Sequence, residues 1–210
     1  VSVTGGQTGV LPEAANQWLD TDYTYAGLRA DRQGRGSLGF EKVTVTDVQT
    51  HVSTTTSYSQ DHPTTGMPLT MESRHSNGTV LSLTTNTLSA FATVAGANYP
   101  YVRVSTVDSK DLDGTLMPRR VTRVGNSTSS TDGIDVYGNL TKLQESVTDG
   151  ADAFTTVADS TFSNNATSWL IGLRTTANTA KAAPGATNGT RRLAATYDAA
   201  TGRVLTETSE

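Results

Sequence analysis

The residues with the types and spacing to do chemistry are few. Asp108-Ser-Lys-Asp111-Leu-Asp113-Gly114 places acidic residues at alternating positions before a glycine, a pattern that can wrap a hard cation in oxygens. An EF-hand register needs an acid where Ser109 stands and a Glu where Arg120 stands, so the stretch reads as a solvated acidic turn with no metal. Glu41 with Asp47, or Asp108 with Asp111, would serve a glycosidase only if the carboxyls sat about 5 to 10 Å apart across a sugar. Nothing distinguishes either pair among the 20 acidic residues. His51, His62 and His75 are scattered, and His62, beside Asp61, reads as a turn residue rather than a general base. Gly-x-Ser-x-Gly, His-Glu-x-x-His and Gly-x-x-x-x-Gly-Lys are absent. Gly34-x-Gly36-x-x-Gly39 matches the dinucleotide pattern formally, but Phe40-Glu-Lys-Val-Thr-Val-Thr follows it, which is a strand where a phosphate-binding helix would be required. The expectation is a chain with no catalytic residue, no metal and no cofactor.

The elements behind these residues are β. Of the 210 residues only 35% are hydrophobic, 6% aromatic and 17% charged, low values for a compact enzyme, so the core should be thin. Thr and Ser occupy the places that Lys and Glu take in helical proteins and favour pleated, half-buried surfaces. Apolar residues alternate at period two: Val43 with Val45, Leu81 with Leu83, Val102 with Val104, Ile134 with Val136, and Val204 and Thr206 against Leu205. Pro63-Thr-Thr-Gly66, Asn77-Gly78, Asp113-Gly114, Thr131-Asp-Gly133, Asp149-Gly150, Pro184-Gly185 and Asn188-Gly189 separate the runs, and Asn-Gly and Asp-Gly suit tight hairpin turns. An all-β series of antiparallel hairpins follows. Residues 1–22 read as an amino-terminal linker or short helix, and 23–210 as the hairpin region. Within the first stretch, Leu11 to Asp20 has either helical spacing or a loop packing Trp18 on the Tyr23 strand. Ala180 to Thr190 reads as a mobile loop.

A net charge of −4, with no basic run longer than Arg119-Arg120 or Arg191-Arg192, disfavours nucleic acid. No apolar run reaches the roughly 20 residues that span a bilayer. The absence of cysteine excludes disulfides and zinc-thiolate sites. Asn-x-Thr sequons at Asn77, Asn126, Asn139, Asn165 and Asn188 are what so threonine-rich a composition produces. The chain begins without Met or a signal pattern and stops just after Tyr197-Asp198, and it reads as an excised piece of something longer.

The most informative stretch is Tyr23-Thr-Tyr25-Ala-Gly27-Leu-Arg29 followed by Gly34-Arg-Gly36-Ser-Leu-Gly39-Phe40: alternating aromatics on a strand, then closely spaced glycines for backbone geometry that a side chain would block. It resembles the segment that opens the shell of RHS/YD-repeat proteins, especially the B component of Tc insecticidal toxins. Further matches follow in the family's order. Tyr58-Ser-Gln60-Asp61-His62-Pro63 with Gly66-Met67 is similar to Tyr-x-Gln-Asp-x-Pro-x-x-Gly-Met, with His62 where an aromatic is usual. Asp135-Val-Tyr137-Gly138-Asn139-Leu-Thr141 and Ser168-Trp169-Leu-Ile-Gly172 resemble the next units, and Tyr197-Asp198-Ala-Ala-Thr-Gly202-Arg-Val-Leu-Thr is the clearest YD unit. Leu81 to Thr131 is the least matched.

In the YD unit, Asp198 can accept hydrogen bonds from amides two or three residues on. Gly202 can take the left-handed conformation that closes a bulged hairpin, and the Tyr197 ring can cover neighbouring rungs while its hydroxyl reaches solvent or a backbone carbonyl. Trp169, beside Leu170, Ile171 and Leu173, reads as a buried anchor, and Trp18, Tyr23, Tyr25, Tyr99 and Tyr101 as core residues in preference to a sugar platform.

The resemblance implies a spiralling sheet in a large secreted or surface-exposed bacterial protein. It implies a non-catalytic shell segment, flanked by more RHS repeats and a β-propeller of the same parent chain, around an enclosed carboxy-terminal toxin domain. No match to the family's self-cleaving aspartate motif occurs, so autoproteolysis is not implied. Cut out alone, the chain should self-associate through open sheet edges. The rivals are a carbohydrate-binding β module of an adhesin and, less favoured, a β-helical polysaccharide-degrading enzyme.

Overall fold

The computed structural model describes residues 2–6, 18–92, 96–125 and 133–210. Among them there is no helix; every regular element is a strand, and neighbouring strands pair antiparallel. The chain divides into two compact units, one running to Asn86 and including Val107–Met117, the other made of Thr87–Thr106 and Pro118–Glu210.

The first unit carries β1 (Ser2–Gly6), β2 (Trp18–Ala26), the small hairpin β3 (Arg29–Asp31) and β4 (Gly36–Gly39), then β5 (Lys42–Asp47), β6 (Val52–Tyr58) and β7 (Pro68–His75). Two further strands, β8 (Val80–Ala92) and β9 (Asn98–Ser109), each contribute residues to both units. The main sheet of the first unit runs β1-β2-β5-β6-β7-β8, a meander interrupted only where β3 and β4 pair with each other instead. The second unit adds β10 (Arg119–Val124), β11 (Lys142–Asp149), β12 (Asp152–Asn165), β13 (Leu170–Ala182), β14 (Gly189–Tyr197) and β15 (Val204–Ser209), which pair in chain order.

Alternation explains these strands. In β5 the pairs Val43↔Thr56 and Val45↔Thr54 put the valines on one face, while Thr44 and Thr46 on the other bond Thr55 at 2.9 Å and Ser53 at 2.8 Å through their hydroxyls. Thr54 then reaches Ser73 at 2.9 Å, and Thr196 reaches Thr206 at 2.6 Å. Such cross-strand hydroxyl pairs replace apolar packing as the glue between neighbouring strands. The core is correspondingly thin: only Tyr101, Ala195, Ser59 and two glycines, Gly125 and Gly133, are buried among the described residues, and no large side chain is fully enclosed. An aromatic cluster sits at Tyr101, where Phe91 lies 6.3 Å from its ring and 5.2 Å from that of Tyr99.

Most glycine turns sit where the dipeptides place them, with Asn188-Gly189 the exception, since Gly189 already pairs with Lys181 in β14 and is not left-handed. Gly66, Gly78, Gly114 and Gly150 all have positive φ, and Asp149↔Asp152 leaves a two-residue hairpin loop at Gly150-Ala151.

Three expectations need correction. Ser2–Gly6 is a strand paired with Trp18–Asp22, so neither stretch is linker or helix; the alternation of Leu19, Thr21 and Tyr23 extends the Tyr25 strand back to Trp18. The helical reading of Leu11 to Asp20 therefore fails for Trp18 to Asp20, and its part over residues 11–17 lies outside the described residues. Ala180–Ala182 and Gly189-Thr190 belong to β13 and β14, paired as Ala180↔Thr190 and Lys181↔Gly189, so the supposed mobile loop shrinks to residues 183–188; small Ala and Thr side chains do not prevent ladder pairing.

Candidate functional site

The sequence-derived residues gather in separate places. In the first unit the glycine block closes on itself. Gly27 has φ +69°, and a Cβ there would stand 2.6 Å from the Cβ of Glu41, so only glycine fits. The Glu41 amide donates to the Gly27 carbonyl at 3.2 Å, and the Tyr58 amide donates to Glu41 O at 2.8 Å. Gly39, with φ +77°, ends β4, while Gly34 and Gly36 shape the β3–β4 turn at φ +94° and +83° with open space around them. Tyr25 packs against Phe40 with ring centroids 4.9 Å apart and the rings tilted by 40°, although both stay partly exposed. Tyr23 is half-buried on the same strand.

Sequence reasoning missed the residue that joins this block to the next motif. The Gln60 amide donates to the carbonyls of both Gly27, at 2.7 Å, and Gly39, at 2.9 Å, pinning the two ends of the β3–β4 excursion together. Its neighbour Ser59 is buried and bonds Thr64 Oγ1 at 2.8 Å and Met67 O at 2.9 Å, closing the loop over residues 59–67. The signal was present in the Tyr-x-Gln-Asp match, but a glutamine before Asp-His-Pro looks like an ordinary turn residue.

In the second unit the Asp135 and Asp198 turns use one device. Asp198 Oδ1 accepts from the Ala200 amide at 3.1 Å and from both the amide and the hydroxyl of Thr201 at 2.7 Å. The Gly202 amide donates to Asp198 O at 2.8 Å with Gly202 at φ +71°, and the ladder bulges between Thr196 and Tyr197. The Tyr197 hydroxyl donates to the Arg174 carbonyl at 2.8 Å, tying this hairpin to β13. Bonds from Thr201 lower the Asp198 pKa from the ordinary carboxylate value, outweighing a small burial effect.

Asp135 Oδ1 likewise accepts from the Tyr137 and Asn139 amides, each at 2.9 Å, and the Gly138 amide, with φ +90°, donates to Asp135 O at 3.0 Å. Its second oxygen does more: it accepts from Asn139 Nδ2 at 2.8 Å and from Asn164 Nδ2 at 3.0 Å, while the Gly172 amide donates to Asn164 Oδ1 at 2.8 Å. Burial pushes the Asp135 carboxyl up, but bonds from Asn139, Tyr137 and Asn164 outweigh it and leave the pKa lowered. Asn164 carried no signal of its own in the sequence. Tyr137 is half-buried, and a Cβ on Gly138 would rest 3.8 Å from the Tyr99 ring.

Trp169 overturns its reading as a buried anchor: it is 75% exposed. Asn165 Oδ1 accepts from the Thr167 and Ser168 amides at 3.0 and 3.1 Å and closes the β12–β13 turn, and Trp169 leaves it with φ +54°. That left-handed step breaks the alternation, so the apolar run Leu170, Ile171 and Leu173 enters the half-buried strand while the indole stays outside. Tyr25 at 46% and Tyr99 at 43% exposed are likewise less than full core residues, whereas Tyr101 is one. The placement of the Trp18 side chain lies outside the described residues.

Asp111 and Asp113 spend their carboxylates on their own turn, accepting from the Leu112 amide at 2.7 Å and the Thr115 amide at 2.8 Å. Among the described residues no cluster of His, Asp and Glu is arranged to hold a metal ion, and no helix is long and apolar enough to cross a membrane. An open depression of about 610 Å³ is lined by Leu140, Leu143, Phe162, Leu173, Arg174 and Tyr197 among others, a mostly apolar patch without a convergent acid–base pair among these residues.

No protein-family profile matches this chain, and no curated protein does. Solved structures do. A crystal structure of TcdB2-TccC3 without its hypervariable C-terminal region superposes with a TM-score of 0.64 at 11% identity over 90% of this chain. A second, of TcdB2-TccC3-TEV, gives 0.63 at 10% identity over 86%. A third, TcdB2-TccC3-Cdc42, gives 0.52 at 12% identity over 90%. The chain spans 14% of the length of each of these. At such identities the likeness is one of fold, and the fold is the all-β, RHS-type architecture of the Tc toxin B and C components.

Proposed function

We propose that this chain is a non-catalytic wall segment of a large secreted bacterial RHS/YD-repeat protein, part of a β shell that encloses a carboxy-terminal toxin or effector domain. The observation that carries the reading is the fold likeness over 90% of the chain to TcdB2-TccC3. A thin-cored sheet with so few buried residues suits a wall, which is wetted on both faces and needs no thick interior. The partners in this reading are further RHS repeats, a β-propeller and the enclosed domain, all of the parent chain.

Limited proteolysis of the full-length parent tests it. The carboxy-terminal domain should resist digestion in the intact protein and become labile once this segment is disrupted by Gly133→Val. Equal digestion in both would overturn the enclosure. The chain by itself should self-associate, because every residue of the edge strand β15 is exposed and open strand edges pair with whatever strand is offered. Light scattering over a concentration series is expected to show growth in mass, and a strictly monomeric chain would point to an independent domain.

The bare indole of Trp169 favours a second reading, a carbohydrate-binding β module of an adhesin. Selective binding on a glycan array would transfer the preference to it.

A further inference from the structure

We propose that Asn188 is a site of spontaneous covalent modification, and that the fold directs this chemistry to Asn188 and away from the chain's other Asn-Gly pair, Asn77-Gly78. In such a pair the backbone nitrogen of the glycine attacks the asparagine side-chain carbonyl carbon. A C–N bond forms, the amide nitrogen leaves as ammonia, and the resulting succinimide is opened by water to aspartate or isoaspartate. Water is the sole co-reactant and no electron changes hands. Glycine favours the step because it has no Cβ to crowd the approach.

Both pairs lie in hairpin connections, with different hydrogen bonding. At Asn77, Oδ1 accepts from the Thr79 amide at 2.9 Å, so the carboxamide is tethered forward along the turn. The attacking nitrogen, that of Gly78, is also engaged, donating to His75 O at 2.9 Å. The Asn77 amide is held too, by His75 Nδ1 at 3.3 Å. Reaction there requires the first two of these bonds, on the carboxamide and on the Gly78 nitrogen, to break before nitrogen and carbon can meet. Asn188 has no such tether: it is exposed, its carboxamide has no hydrogen bond among the described residues, and it belongs to no strand. Gly189 opens β14 opposite Lys181, and nothing lies within 4 Å of where its Cβ would be, so the approach is uncrowded. The nearest fixed contact in the loop is the Ala186 amide on Ala183 O at 3.2 Å, which leaves Asn188 outside the closed turn.

The product matters to the sheet. Aspartate at 188 adds a negative charge next to the Lys181↔Gly189 rung and close in sequence to Arg191 and Arg192. Isoaspartate adds a backbone atom immediately before β14 and shifts the register of that rung.

The experiment is incubation of the folded chain at mildly alkaline pH, followed by tryptic mapping with fragmentation that separates aspartate from isoaspartate. The peptide from Ala182 to Arg191 should accumulate the deamidation mass gain. The peptide from His75 to Arg103 should do so about tenfold more slowly, the factor expected when two ordinary hydrogen bonds must open first. In chain unfolded by urea the two rates should converge, which assigns the difference to the fold. Gly189→Ala should slow the Asn188 reaction. Equal rates in the folded chain, faster reaction at Asn77, or an inert Asn188 in folded chain alongside a reactive one in urea would each overturn the proposal.

Discussion

The turns at Asp135 and Asp198 start from nearly the same side-chain chemistry and end in different roles. At Asp198 the carboxylate satisfies amides and a hydroxyl of its own turn, and beyond the β13–β14 ladder the turn reaches its neighbour through the Tyr197 hydroxyl on Arg174 O. At Asp135 one carboxylate oxygen closes the turn and the other reaches out to Asn164, whose side chain then holds the Gly172 amide of β13. The difference lies in a partner far along the chain, since both aspartates are half-buried. An aspartate whose bonds stay within its own turn stabilises the loop that contains it, whereas one with a second acceptor oxygen aimed at a distant donor fixes one hairpin against the next.

The contrast can be broken most severely at the glycine that precedes the Asp135 turn. Gly133 has φ +99°, and a Cβ on it would lie 2.2 Å from Gly125 N and 2.9 Å from Lys142 O, backbone atoms that cannot step aside. Gly133→Ala should cost at least about 3 kcal/mol from left-handed strain and overpacking together, read as a lowered urea midpoint. Gly202→Ala shares the positive φ, but its Cβ would meet the flexible end of Leu170 at 3.2 Å, so its loss should be clearly smaller. Equal losses would mean that the two turns are equivalent after all.

Removing the carboxylates comes next. Asp135→Ala strips the Tyr137 and Asn139 amides and the Asn139 and Asn164 carboxamides of their acceptor, and should destabilise by about 2 to 4 kcal/mol. Asp198→Ala should lose less, since its donors are exposed and water replaces the oxygen. A double-mutant cycle of Asp135→Ala with Asn164→Ala should show coupling, and Asp198→Ala with Asn164→Ala should be additive.

Acid should separate the turns from the rest of the sheet in the same direction. The carboxyls of Asp135 and Asp198, like those of Asp47 and Asp113, sit below the ordinary value of 3.8 in the folded chain. A folded-state pKa that is depressed contributes stability above the unfolded value, and that contribution is lost as pH falls through the folded one. Stability should therefore be flat in this respect above about pH 5 and decline below 3.8. Asp135→Asn should flatten part of that decline in acid titrations followed by unfolding; an unchanged profile would remove Asp135 from the acid-sensitive set.

How much of this was legible in the sequence follows from the range of the interactions. Strand and turn positions were readable because Val-Thr alternation and Asn-Gly or Asp-Gly pairs act over a few residues, and Gly78, Gly114 and Gly150 turn where those pairs stand. The local half of each aspartate turn was readable for the same reason. The joining residues Gln60 and Asn164 were not, because their partners stand 33 and 29 residues away and a polar side chain carries no periodic signal. Ser2–Gly6 was lost likewise: a glycine-containing segment pairs with Trp18–Asp22 only because the partner strand is offered to it.

Trp169 is the clearest failure, and the smallest expected effect tests why. Its apolar neighbours suggested an anchor, but the left-handed bond at φ +54° takes the ring out of the strand's alternation and leaves it 75% exposed. An aromatic side chain gains little where most of its surface remains wet, and an L-residue in that conformation costs about 1 kcal/mol that glycine does not. Trp169→Ala in this chain should thus shift stability by no more than about 0.5 kcal/mol, the range of ordinary surface substitutions. Trp169→Gly should equal or slightly exceed the parent in a urea melt, because relief of the backbone offsets the lost contacts. A loss of about 3 kcal/mol or more for the alanine variant, the range of a buried aromatic, would restore the anchor and contradict the exposed turn.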